Sequence, residues 1–188
     1  MRAQLLAAAS LFAFCSAAVA QPVPAPPIKP GLWQVQSDRA VDGKPAPDIG
    51  AHLKNLQPEV RKRMEAGMRA RGIDIGTGDG TMKMCMTRES LDQGQWQGTQ
   101  ERCKTDFKTR SASVWTWHSS CSQPAAESDG EARFADAENY TVKSSTTLNV
   151  QGKTQTSTMA LAAKWLGADC GDLPPMRAMP APGKVGGK

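Results

Sequence analysis

The chain has 188 residues, 39% hydrophobic and 22% charged, with 23 Lys and Arg against 18 Asp and Glu for a formal charge of +5. That excess is modest and mixed with acid, which argues against a nucleic-acid surface, and no stacking platform with a basic groove is visible. The length suits a single modest core and gives no reason to expect two domains.

Met1 and Arg2 precede an apolar run, Leu5 to Val19, that ends in the small-residue site Ala18-Val19-Ala20. This pattern predicts a signal peptide over residues 1–20, cleaved before Gln21, and hence an exported protein in an oxidising compartment. The run is too short and Ala-rich for a permanent span. Cys15 lies inside it, after the bulky Phe14, and leaves with the peptide. Residues 21–30 form a Pro-rich lead with Pro22, Pro24, Pro26, Pro27 and Pro30, extended and little able to pack by itself. The folded domain is expected over 31–171.

Leu32 to Ser37 reads as a first strand, with Trp33 and Val35 alternating against Gln34 and Gln36. A Gly, Pro and Asp-rich loop from Ala40 to Asp48 follows. Pro58 then opens an amphipathic helix over about 58–70, in which Val60, Met64 and Met68 recur every four residues and Gly72 stops the helix. Arg61, Lys62, Arg63, Arg69 and Arg71 make it the densest basic patch. A solvated face is the plain reading, and contact with an anionic envelope surface is the alternative.

Gly76 to Gly80 is a glycine-rich connector without the lysine of a phosphate loop. The strand Thr81 to Thr87 carries Met82, Met84 and Met86 on one face. Three thioethers in an exported protein raise a soft-metal (copper) reading. Packing against the helix that bears Met64 and Met68 is the simpler one, since side chains two apart on a strand do not converge. Thr87 to Leu91 begins a short helical turn, and Gly94 to Gln100 is a polar loop around Trp96.

Cys103–Phe107 and Val114–His118 flank a turn and form a hairpin. Centred on Ala112, it sets Cys103 opposite Cys121, Phe107 opposite Trp117 and Thr109 opposite Trp115. The four cysteines outside the signal permit three pairings. The hairpin register favours a Cys103–Cys121 disulfide, which leaves Cys85 with Cys170. Structural zinc fits poorly, because there is no CxxC and the only histidines are His52 and His118. Beyond the loop Gln123–Gly130, strands at Glu131–Ala135, Tyr140–Val150 and Lys153–Ala163 form a meander with turns at Asp136–Asn139 and Gln151–Gly152. Residues 172–188 read as a flexible Pro and Gly-rich tail. The fold class is therefore mainly β: a curved antiparallel sheet or partly open barrel of about seven strands, one amphipathic helix and two disulfides.

Pro30 to Trp33, Lys83-Met84-Cys85-Met86-Thr87-Arg88-Glu89, Cys103-Lys104 followed by Trp117 and Cys121, and Gly167-Ala168-Asp169-Cys170 carry a resemblance. Together they resemble the bacterial exported family labelled domain of unknown function 3617, over residues 28–171. Ala168 departs from the family-like Gly-Asp-Cys ending. The resemblance implies an envelope or periplasmic protein with paired cysteines and antiparallel strands, and supplies no catalytic residues.

His118 alternates away from Trp117, within reach of an acid such as Asp106, and stands beside Ser119 and Ser120. No nucleophile, oriented base and oxyanion site can be assigned from these, so a hydrolase is the weakest reading. No cofactor is implied. The expectation is a monomeric, non-enzymatic protein that binds a small apolar ligand or an envelope protein partner, with Trp115 and Trp117 as the ligand-contact candidates.

Overall fold

A computed structural model of the chain describes residues 25–47, 49–75, 80–92, 103–122, 124–150 and 152–176. The signal segment, Cys15, the turn residues 76–79, the loop around Trp96 and the tail after 176 lie outside the described residues. Nine strands form one antiparallel sheet: β1 (Gly31–Val41), β2 (Lys44–Pro45), β3 (Ile73–Ile75), β4 (Thr81–Met86), β5 (Cys103–Arg110), β6 (Val114–Ser122), β7 (Ala125–Phe134), β8 (Asn139–Val150) and β9 (Lys153–Gly167). The order is β3-β4-β1-β9-β8-β7-β6-β5, with β2 hairpinned onto β1, and the sheet is not closed. Three helices accompany it: α1 (Ile49–Lys54), α2 (Pro58–Arg69) and α3 (Arg88–Asp92). None of the described helices is long and apolar enough to cross a membrane.

The count of nine replaces the seven read from sequence. The two- and three-residue strands β2 and β3 have too little pattern of their own and exist through pairing with β1 and β4. β7 also begins at Ala125, inside the segment read as a loop. Its sequence AAESDG has weak strand propensity, but its neighbours β6 and β8 template it on both sides.

Alternation divides the sheet into two faces. One is apolar. Across the strands, Ser37, Leu161, Val142, Ala132 and Trp115 fall in one row, and Val35, Ala163, Tyr140 and Phe134 in the next. Trp33, Val35 and Leu91 are at most 1% exposed. An aromatic chain runs Phe107–Trp115–Phe134–Tyr140–Trp33, with successive centroids 5.1 to 6.0 Å apart. Such spacings are those of favourable tilted and edge-to-face pairs. Burial holds the Tyr140 phenol protonated well above its ordinary range.

Packing extends beyond 31–171 on both sides. Ile28 is buried in the core, the Trp33 indole donates to the Lys29 carbonyl (3.0 Å), and the Trp165 indole donates to the Pro30 carbonyl (3.1 Å). Lys29 itself sits 4.8 Å over the Trp165 ring and pairs with Glu138 at 2.6 Å. The prolines of the lead thus preset an extended segment that the indoles pin to the sheet. At the other end Leu173 and Met176 are buried, and the Met176 N–H donates to the Cys85 carbonyl (2.7 Å). Cys85 also donates to Gly72 (3.2 Å), so the segment after Cys170 takes over the edge of β4 where β3 ends. Gly72, at φ +81°, permits that approach, because a Cβ there would overlap the backbone of Pro174 and Met176.

The structure joins Cys85 to Cys170 and Cys103 to Cys121. The β5–β6 register sets Cys103 opposite Cys121 and Phe107 opposite Trp117, then shifts. Beyond Phe107, Thr109 lies opposite Thr116 and Arg110 opposite Trp115. The correction is a β-bulge at Lys108. It brings the Arg110 guanidinium to 3.7 Å from the Phe107 centroid and 5.1 Å from that of Trp115, a cation–π arrangement.

Gly130 on β7 lies opposite Trp117, and a Cβ built there would overlap the indole ring. Gly130→Ala therefore forces Trp117 to shift and is expected to destabilise by about 1–3 kcal/mol, the usual range for overpacking. Thermal unfolding followed by tryptophan fluorescence checks it, and an unchanged or higher midpoint would show that the ring yields freely.

Candidate functional site

The second face of the sheet is polar and hollowed. Its rows follow from the same registers: Asp38, Ala160, Lys143 and Glu131 line up across β1, β9, β8 and β7, and Gln36, Ala162, Thr141 and Arg133 make the adjacent row. A cavity of about 500 Å³ is lined by Gln36 and Asp38 without the intervening Ser37, and by Glu131 and Arg133 without Ala132. That pattern puts the hollow on the polar face. It continues into a larger cavity, about 1070 Å³, through the shared residues Gln36, Asp38, Glu131, Lys143 and Ala160, and that cavity is also lined by Ser37, Arg39, Gly130, Ser144 and Met159 of the opposite parity, so it reaches past the polar face toward the apolar one.

Small side chains make this space. Thr158 and Ala160 of β9 lie between the longer side chains of β1 and β8, so the middle of the sheet is low and its flanks are high. Pro45, Pro47 and Ile49 from the connection into α1, with Ile75 and Met82 from β3 and β4, supply the apolar side of the lining. Asp38, Arg39, Asp129, Glu131 and Lys143 supply charge. Glu131 is engaged by Arg133 through two contacts, at 2.7 and 3.1 Å. Neither Asp38 nor Lys143 has an ion pair among the described residues.

Asp129 leads from the cavity to a polar cluster around His118. Nδ1 of His118 is 3.0 Å from Asp129 and Nε2 is 3.0 Å from Glu127, while the Ser120 hydroxyl donates to Glu127 at 2.7 Å. The contact to His118, and then the nearby Lys108, hold the Asp129 carboxyl below the usual carboxylate range. Asp106 lies opposite His118 in the β5–β6 ladder, but the histidine's hydrogen-bonding partners are on β7. Both ring nitrogens face carboxylates, Ser120 faces Glu127, and neither Ser119 nor Ser120 has a hydrogen bond to His118 among the described residues. Ser119 instead shares a 2.7 Å hydrogen bond with Thr105. The arrangement is an exposed cross-strand network rather than the nucleophile–base pair that hydrolysis requires.

The candidate ligand-contact tryptophans lie elsewhere. Trp115 is 3% exposed in the core, its indole donating to the Ser111 carbonyl (2.9 Å), and Trp117 rests on Gly130 from the apolar side. Neither lines either cavity. Met82, Met84 and Met86 stand opposite Val35, Trp33 and Gly31, with Met86 buried in the core and the other two packed against it. They fill the apolar core beneath Trp33, and no residue of α2 is buried. Among the described residues, no three His, Cys, Asp or Glu side chains are arranged to hold a metal ion. The cavity-lining set was missed because it is drawn from seven strands, α1 and the connection before it, with no linear motif.

An open antiparallel sheet, aromatic on one face and hollowed on the other, with one disulfide at its outer hairpin and another tying β4 to the chain after β9, defines a disulfide-stabilised β-scaffold. The chain belongs to the family described as "Protein of unknown function (DUF3617)", which matches residues 28–170. It is also similar to the "Uncharacterized protein in lpd-3 5'region" of Pseudomonas putida, 35% identical over 113 residues that cover 57% of this chain and 77% of that relative. No solved structure matches it significantly.

Proposed function

We propose that this is an exported, non-enzymatic binding protein whose larger cavity, between the middle of the sheet and the connection into α1, takes a small amphipathic ligand. The observation that supports this is the cavity of about 1070 Å³, which adjoins Pro47, Ile49 and Met82 on one side and the unpaired Lys143 and Asp38 on the other. It is at the upper end of the size range of small-molecule sites, and it combines apolar contact area with a few polar groups that fix orientation. The apolar part of the ligand rests against the connection from Pro45 to Ile49, and its polar end reaches Lys143. The open sheet provides access without a gate.

Ala160→Phe tests this directly. Ala160 is exposed on the floor of the hollow, so a phenyl ring occupies the cavity without entering the core. N-phenyl-1-naphthylamine, a neutral apolar dye, is expected to bind the oxidised protein saturably with enhanced fluorescence. The variant should weaken that binding at least about tenfold, the equivalent of roughly 1.4 kcal/mol, with an unchanged circular dichroism spectrum. Equal binding by both proteins would remove the cavity from the reading.

A further inference from the structure

We infer that α2 is a docking surface for an anionic phospholipid bilayer. The helix runs from Pro58 to Arg69, twelve residues, or about 18 Å of length. None of its residues is buried, and it packs chiefly on the short strand β3. Val60 and Met64 are each 45% exposed and share one face with Met68. In soluble packing such a face turns inward and contributes to the core. Here the face predicted to cover the methionine strand is left in solvent.

The charges around this face indicate what covers it. At 100° per residue the apolar stripe Val60–Met64–Met68 is flanked by Arg63 on one side and Arg61 on the other, while Lys62 and Arg69 fall on the opposite side of the helix. Arg61 pairs loosely with Glu65 (3.8 Å) and Arg69 with Asp74 (3.0 Å). Lys62, Arg63 and Arg71 have no ion pair among the described residues. An apolar stripe bordered by long basic side chains is the pattern of a helix lying in a membrane interface: methionine and valine enter the acyl boundary, and arginine and lysine stay at the phosphates. Helix and cavity are also linked through the fold. α1, just before the helix, contributes Ile49 to the lining, and β3, on which the helix packs, contributes Ile75.

The surface does not depend on the cavity's holding a ligand, and the experiment keeps the two separate. The oxidised protein is sedimented with vesicles of phosphatidylethanolamine and phosphatidylglycerol at 3:1, and with phosphatidylcholine vesicles, in 0.05 and 0.5 M salt. Expected is co-sedimentation with the phosphatidylglycerol vesicles at low salt, lost at high salt and absent with phosphatidylcholine. Each basic residue near an anionic surface contributes about fivefold, so the double variant R61Q/R63Q, which removes the two charges that flank the stripe, should bind about 25-fold more weakly. Met64→Glu should abolish binding with unchanged circular dichroism, and Ala160→Phe should leave it intact. No sedimentation with phosphatidylglycerol vesicles at low salt, or sedimentation unaltered in both α2 variants, would overturn the inference. The former result would leave an acidic protein as the partner for this face.

Discussion

Removing the Cys85–Cys170 bridge with a Cys85→Ser/Cys170→Ser double variant is expected to lower the unfolding free energy by about 4–5 kcal/mol. The matching variant at Cys103 and Cys121 should lose roughly 3 kcal/mol. Both figures follow from the loop each bridge closes in the unfolded chain, given sequence separations of 85 and 18. The long bridge has a second effect. Cys85 is 2% exposed, and its carbonyl accepts from Met176, so releasing Cys170 also frees the segment that buries Leu173 and Met176. The short bridge ties a hairpin whose ladder already aligns β5 with β6. Equilibrium urea unfolding of the oxidised wild type and both double variants measures the difference. The midpoint should fall further for the long bridge, and the slope should rise as the unfolded chain expands. Equal losses from the two pairs, or a larger loss at Cys103, would show that loop length does not govern this scaffold.

Much of the sheet could be read from its residues because alternation and cross-strand partners are local signals. Alternation puts Tyr140, Val142 and Leu148 on one face of β8, and Leu161 and Ala163 on one face of β9. Those residues pair as that reading requires. The hairpin register was readable as far as Phe107, where Cys103, Phe107 and their partners constrain it. Beyond that point the bulge at Lys108 has no sequence signature of its own. It answers to the packing of Arg110 against Phe107 and Trp115, which exists only in three dimensions. The contacts of residues 25–30 are illegible for a related reason. Proline content correctly implied an extended chain, but docking depends on where the Trp33 and Trp165 indoles point.

The candidate site was less readable than the fold. Its floor is two alanines and a threonine on β9, residues that attract no attention in a linear reading. The tryptophans drew the ligand-binding reading because their aromatic area is large, and that same area buries Trp115. The helix, read as about 58–70 from four-residue periodicity between Pro58 and Gly72, runs Pro58–Arg69, whereas its partner could not be read. Periodicity reports that a face is apolar, not what lies against it.

The second large effect is expected at Trp33. Its side chain is fully buried, its indole donates to Lys29, and its ring meets Tyr140 at 5.1 Å across the small Ala163. Trp33→Ala empties the end of the aromatic chain and removes the anchor of the lead, so a loss of about 3–5 kcal/mol is expected. That is a large share of the 5–15 kcal/mol typical of a whole domain. Trp33→Phe keeps most of the apolar area but leaves the Lys29 carbonyl without its indole donor, and about 1–2 kcal/mol is expected. Trp117→Ala, at a half-buried ring resting on Gly130, should cost about 2 kcal/mol. Urea midpoints of the three oxidised variants rank them. If Trp117→Ala proved the most damaging, the core would be centred at the β6–β7 end of the sheet instead of at β1. A Trp33→Phe loss as large as that of Trp33→Ala would assign the effect to the hydrogen bond that seats the lead rather than to the buried ring. In that case the sheet and residues 25–30 would have to be treated as one cooperative unit, held by a single indole N–H.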